Sequence, residues 1–129
     1  MSPTAPEFLR GAYWAPDANP PYSAVVTHGK TIYLAGTLGF TPGTRDLPDG
    51  IEAQAKNALE AIGANLQQVD ASLGDLTTCT CYLADIDDYA AFNAVYSTYF
   101  PDVAPARTTI AVAALPLGAA VEITCTAAR

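Results

Sequence analysis

Two charged residues in this chain interrupt strand-like runs in a way that suggests chemistry. Arg107 follows Pro105-Ala106 at the mouth of an otherwise uncharged run, Thr108 to Leu115 (TTIAVAAL). A guanidinium placed there can grip a carboxylate through two parallel hydrogen bonds, a geometry that a lysine cannot reproduce. The alternative is a strand-end arginine on the surface, paired with an acidic neighbour. Glu122 breaks the apolar run Ala119-Ala120-Val121 and is followed by Ile123. An acid in such a strand must face solvent, pair with a cation or line a site, and partly desolvated carboxylates are suited to moving protons near neutrality. For Glu122 the plain alternative is an outward-facing strand residue.

Other constellations carry less. The single histidine, His28, falls in a predicted tight turn beside Lys30, so it reads as an exposed turn residue and a Ser-His-Asp triad has no base. Neither G-x-x-x-x-G-K-[ST] nor G-x-G-x-x-G is present, so nothing supports a phosphate-cradling loop. Cys79-Thr80-Cys81 on a strand would put both thiols on one face, with Cys125 and His28 as candidate further zinc ligands. The spacing matches no familiar zinc pattern, and free buried cysteines behave as small hydrophobes, so core packing without a metal is the expectation.

With 129 residues, half of them hydrophobic, the chain has the size of one domain spanning 1–129 and enough apolar mass to bury a core. Thirteen acidic against six basic residues give a net charge of −7, and Arg10, Lys30, Arg45, Lys56, Arg107 and Arg129 are scattered. Contact with nucleic acid or an anionic membrane is therefore not expected. The start, MSPTAPEFLRGAYW, lacks the pattern of a signal peptide, and no stretch is apolar enough to span a bilayer, which predicts a cytoplasmic protein. Three cysteines, an odd number, in such a compartment predict no disulfide framework.

The elements that must position Arg107 and Glu122 can be read from periodicity. After a Pro-rich arm over residues 1–20, Tyr22 to Val26 and Thr31 to Ala35 form two strands around the turn His28-Gly29-Lys30. Residues Phe40 to Gly50 are loop. Ala55, Leu59, Ile62, Leu66 and Val69 recur at helical spacing and predict a helix over Ile51 to Val69, capped by Asp49. Thr77 to Leu83 is a strand. After Asp85 to Asp88 comes a second helix with the stripe Phe92, Val95/Tyr96 and Tyr99, ended by Pro101 and Pro105. Thr108 to Leu115 and Ala120 to Ala127 are the last strands, expected to be antiparallel neighbours across Pro116-Leu117-Gly118. The order β-β-α-β-α-β-β makes an α+β domain with two helices on one face of a mixed sheet. The other face then needs a cover, which another copy of the chain would supply.

The ordered set Pro21-Tyr22-Ser23, Gly29, Ala35-Gly36, Ala53-Gln54, Gly74-Asp75-Leu76, Asn93-Ala94-Val95-Tyr96, Pro105-Ala106-Arg107 and Val121-Glu122-Ile123 resembles the RidA/YjgF family from about Pro16 to Ala128. The resemblance implies a chorismate-mutase-like fold, a homotrimer with sites in clefts between subunits, and hydrolysis of reactive 2-imino or enamine acids to 2-keto acids and ammonia without a cofactor. Carried over, Arg107 would hold the substrate carboxylate and Glu122 would handle the attacking water and protons. The backbone at Gly36 and Thr109 would hold substrate and water, with Thr37 beside Gly36, Tyr22 closing the pocket and Asn93 supporting its wall.

An iminium carbon is already electrophilic, so positioning and one acid/base group can suffice. Ala35-Gly36-Thr37 departs from the family's usual Ser-Gly-Gln, and Thr108-Thr109 is similar to aminomuconate-deaminase-like relatives, which implies a larger or pathway-specific enamine. The alternative from another class is a non-catalytic, small-carboxylate-binding or chaperone-like trimer using the same arginine cleft.

Overall fold

The computed structural model describes residues 5–129. Six strands form one sheet: β1 (Glu7–Leu9), β2 (Val25–His28), β3 (Thr31–Leu38), β4 (Leu76–Leu83), β5 (Ala106–Ala111) and β6 (Val121–Ala128). Helix α1 spans Ile51–Gln67 and α2 spans Tyr89–Thr98. Strand order is β1-β2-β3-β6-β4-β5, with β4 and β5 parallel and every other pair antiparallel.

This order follows from the connections. Parallel strands need a crossover connection, which α1 supplies between β3 and β4 and α2 between β4 and β5. β4 does not sit beside β3, however; it leaves a gap that β6 fills antiparallel to both. The last two strands are therefore not antiparallel neighbours as expected. The segment between them includes a short helical turn, Pro116–Gly118, and carries the chain past β4.

Strict alternation in β6 sends Val121, Ile123, Cys125 and Ala127 into the core and leaves Glu122, Thr124 and Thr126 half-buried on the other face. The buried stripe of α1, including Ala55, Leu59, Ile62 and Leu66, and the Phe92 and Tyr96 side chains of α2 join these residues in one core cluster. Burying a side chain such as Leu59 or Ile62 contributes about 1.5–3 kcal/mol. Both helices thus cover one face of a mixed sheet. The opposite face exposes Tyr33 (50 %) and Ile110 (43 %).

Several expectations need correction. The arm contains a strand, β1, which pairs antiparallel with β2 through Leu9 opposite Val25, and residues 1–4 of that arm lie outside the described residues. Three residues are too short for a periodic signal, and pairing with an existing edge supplies what local preference does not. Asp49 does not cap α1; the N-cap is Gly50, whose φ of 92° turns the chain directly into the helix. Cys79 and Cys125 are directly opposed on β4 and β6, Cα atoms 4.2 Å apart, and are joined as a disulfide, while Cys81 is free and buried. The expectation of three reduced thiols failed because pairing of β4 with β6 is not visible in cysteine spacing.

Candidate active site

Glu122 lies on β6 between Leu38 of β3 and Tyr82 of β4, on the face away from the helices. The register between β3 and β6 slips between Leu34 and Thr37, so β3 carries one extra residue at Ala35-Gly36. Such a bulge leaves backbone out of the ladder and re-aims it, a device found beside active sites. The Glu122 carboxylate rests against Gly36, in space that any Cβ at that position would occupy.

Beside Glu122 opens a cavity of about 520 Å³. Tyr22, Gly36 and Thr37 line it, together with Trp14, Phe40 and Leu117. A shallower groove on the open sheet face, lined by Tyr82 and Thr124, meets it at Gly36, Pro116 and Glu122. Tyr22 is exposed where it lines the cavity. The Thr37 hydroxyl turns back to donate to the Ala35 carbonyl at 2.9 Å.

Arg107 stands elsewhere. It lies at the start of the edge strand β5, opposite Cys79 of β4, and its side chain faces α2. The guanidinium donates to Asn93 Oδ1 at 2.6 Å and to the Tyr89 hydroxyl at 3.3 Å. Its central carbon lies 4.6 Å from the Tyr96 ring centroid, 5.6 Å from Phe92 and 5.8 Å from Tyr89. Three rings and one amide therefore fix the orientation of a half-buried cation. The ion pair found among the described residues is Arg45 with Asp17, so no carboxylate of the protein pairs with Arg107. This sets aside the surface-pair alternative.

Thr109, two residues along β5, shares this face, and its Oγ1 is buried without a hydrogen-bond partner. The same holds for the hydroxyl of Tyr96, a residue only 6 % exposed. Burial pushes Tyr96 up to about 12 and the Cys81 thiol up to about 11, the latter against the pull of the nearby Arg107 charge. Tyr89 is lowered instead, first by its hydrogen bond with Asn93 and then by Arg107. Cys81 is therefore a protonated, inert thiol at neutral pH.

The structure brings Glu122, Gly36, Thr37 and Tyr22 to one cavity, and Arg107, Asn93 and Thr109 to the other side of the sheet. It does not bring the two sets together within one chain, since β4 separates β5 from β6 and the two charges face opposite ways. Sequence reasoning missed Tyr89 and Tyr96 as the cage of Arg107. Their spacing of seven around Asn93 places all three on one helix face, a signal that the core stripe of α2 obscured. No cluster of His, Cys, Asp or Glu among the described residues could hold a metal ion.

The fold is thus an α+β domain carrying two separated features, a carboxylate beside a cavity and a cation in an aromatic cage. The family described as Endoribonuclease L-PSP matches residues 13–129. A goat protein named 2-iminobutanoate/2-iminopropanoate deaminase is 44 % identical over 110 residues, 84 % of this chain and 80 % of the relative. The crystal structure of RidA from an Antarctic Psychrobacter superposes with a TM-score of 0.88 at 36 % identity, covering 95 % of this chain and 99 % of that one. Escherichia coli TdcF with bound serine gives 0.87 at 29 % identity, with 95 % and 99 % covered. The chain belongs to the RidA/YjgF family, the Endoribonuclease L-PSP family of proteins.

Proposed function

We propose that this chain is an imine deaminase that hydrolyses a carboxylate-bearing imine or enamine to a keto acid and ammonia, at sites shared between copies of a homotrimer. The observation that carries the reading is Arg107: a half-buried guanidinium held by Asn93 and three rings, with no carboxylate partner of its own. The goat relative's name supplies the substrate class.

Each half-site lacks what the other has. The cavity beside Glu122 has no unpaired cation, because its Arg45 is matched with Asp17, and Arg107 has no neighbouring acid. A ring of copies meeting head to tail sets the β5 edge of one against the open face of the next, and this also covers Tyr33 and Ile110. The chorismate-mutase-like arrangement and the trimer both belong to this reading.

In the assembled site Arg107 grips the substrate carboxylate through its free N–H groups and holds the imine carbon near Glu122 of the adjacent copy. Glu122 takes a proton from water as the oxygen attacks that carbon, forming a carbinolamine. The same carboxyl group returns the proton to nitrogen and then, again a carboxylate, takes the proton of the carbinolamine hydroxyl as the C–N bond breaks, so that ammonia leaves and the carbonyl forms. Backbone at Gly36 and Thr109 orients water and substrate, and Tyr22 shuts the mouth. No cofactor takes part. The setting is the cytoplasm, where pyridoxal-phosphate enzymes release such intermediates. RNA cleavage, which the family's description names, finds little support in a chain of charge −7 with scattered cations.

The test uses freshly generated 2-aminoacrylate. The wild-type chain speeds its decay, Arg107→Ala does not, and Glu122→Gln abolishes turnover while keeping affinity for a 2-keto acid. Mixing the two inactive variants restores intact pairs in roughly a quarter of shared sites. A wild-type chain that leaves the decay of 2-aminoacrylate and of larger 2-imino acids alike unchanged refutes the reading; a binder would show affinity with no turnover to lose.

A further inference from the structure

The cavity beside Glu122 has a wall chemistry that the hydrolysis itself does not require. Much of its lining is hydrocarbon: Trp14, Leu38, Phe40 and Ala61, with the exposed Tyr13 and Leu117. Polar side chains also reach it, among them Asn19, and the protein already engages several of the others. The Thr37 hydroxyl donates to Ala35 O at 2.9 Å and that of Thr44 to Thr41 O at 2.7 Å. Asn65 Oδ1 accepts from Ala12 N at 2.7 Å, and Arg45 pairs with Asp17 at 3.8 Å. Glu122 is left as the unengaged charge, at one edge.

The aromatic wall is also held in place before any ligand arrives. Arg10 stacks on the Trp14 ring at 5.4 Å and donates to the carbonyls of Ala18 at 2.7 Å and Ala15 at 3.3 Å. Trp14 meets Tyr22 edge to face at 5.8 Å. A Cβ at Gly11 would collide with the Trp14 indole, so glycine there lets the ring lie against the backbone. Preformed apolar walls favour ligands that displace water from them without reordering the protein.

We infer that the substrates are 2-imino acids with a bulky hydrocarbon or aromatic side chain, seated in this chamber with Trp14 and Phe40 as the residues that set the preference. The inference rests on the deaminase reading and departs from the small imino acids that the goat relative's name prints. A three-carbon imino acid would touch little of the hydrocarbon wall that a single chain offers here in a cavity of about 520 Å³.

The experiment generates imines in place with an L-amino-acid oxidase acting on alanine, leucine or phenylalanine, and follows their hydrolysis in competition with semicarbazide trapping. The wild-type protein is expected to show a kcat/KM for the phenylalanine-derived imine at least about tenfold above that for the alanine-derived one. Phe40→Ala and Trp14→Ala should each reduce that ratio by about tenfold, and Phe40→Leu, a milder change less prone to misfolding, by a smaller factor. A ratio of one or below in the wild type, or a ratio untouched by the substitutions, overturns the inference while leaving the deaminase reading intact. Failure to hydrolyse any of the three imines overturns both.

Discussion

Replacing Gly36 by alanine tests the link between the β3 bulge and the acid/base group. The φ of Gly36 lies outside the left-handed region, so alanine meets no backbone penalty there. Its Cβ would instead overlap Oε2 of Glu122 and stand 3.1 Å from Cδ and 3.5 Å from Cγ of that residue. The clash falls on the far end of a flexible side chain, so the carboxylate swings aside by about 1 Å rather than the strand moving. A misplacement of that size costs on the order of a hundredfold in rate, about 2.7 kcal/mol of barrier. Stability should change by less than about 1 kcal/mol, because the methyl group enters exposed space and stiffens the unfolded chain. Imine hydrolysis in parallel with urea denaturation separates the two effects. A Gly36→Ala protein with wild-type kcat would show that the Glu122 position is not set by Gly36, or that Glu122 does not act in the reaction.

Gln54 on α1 is buried and satisfied at both ends, donating to Pro48 O at 2.8 Å and accepting from Ala120 N at 2.8 Å. Gln54→Leu leaves two partners unpaired and should cost about 2–4 kcal/mol, read as a lowered urea midpoint. Tyr96, Tyr99 and Cys81 all titrate higher than usual, Tyr99 because of burial and its hydrogen bond to Glu60. The folded protein therefore holds their protons more tightly than the unfolded chain. That stability is whole below about pH 9 and is lost as pH rises through about 11 to 12. The urea midpoint should fall over that window, and Tyr96→Phe should flatten the fall. In guanidinium without reductant, alkylation should tag Cys81 alone, and after reduction also Cys79 and Cys125, as counted by mass spectrometry.

Much of this protein was legible from local pattern. The helical stripe through Ala55, Leu59, Ile62 and Leu66 and the alternation around Glu122 each depend on contacts with a single neighbouring layer, so they leave a period in the residues themselves. The turn at Gly29, with φ 62°, is equally local. Arg107 and Glu122 stood out because charge in an apolar strand has few inexpensive explanations.

Which strands become neighbours is another matter. The insertion of β6 between β3 and β4, the pairing of Cys79 with Cys125 and the addition of β1 at the edge join residues tens of positions apart. Two helical crossovers and the burial of one sheet face decide them, and no window along the chain contains those terms. The cage of Tyr89, Phe92 and Tyr96 around Arg107 and the chamber between Trp14 and Phe40 arise the same way, from elements whose approach is set by the packed core rather than by their own residues. Side-chain direction was written in the sequence; side-chain company came from tertiary structure, because periodicity is short-ranged and strand pairing is not.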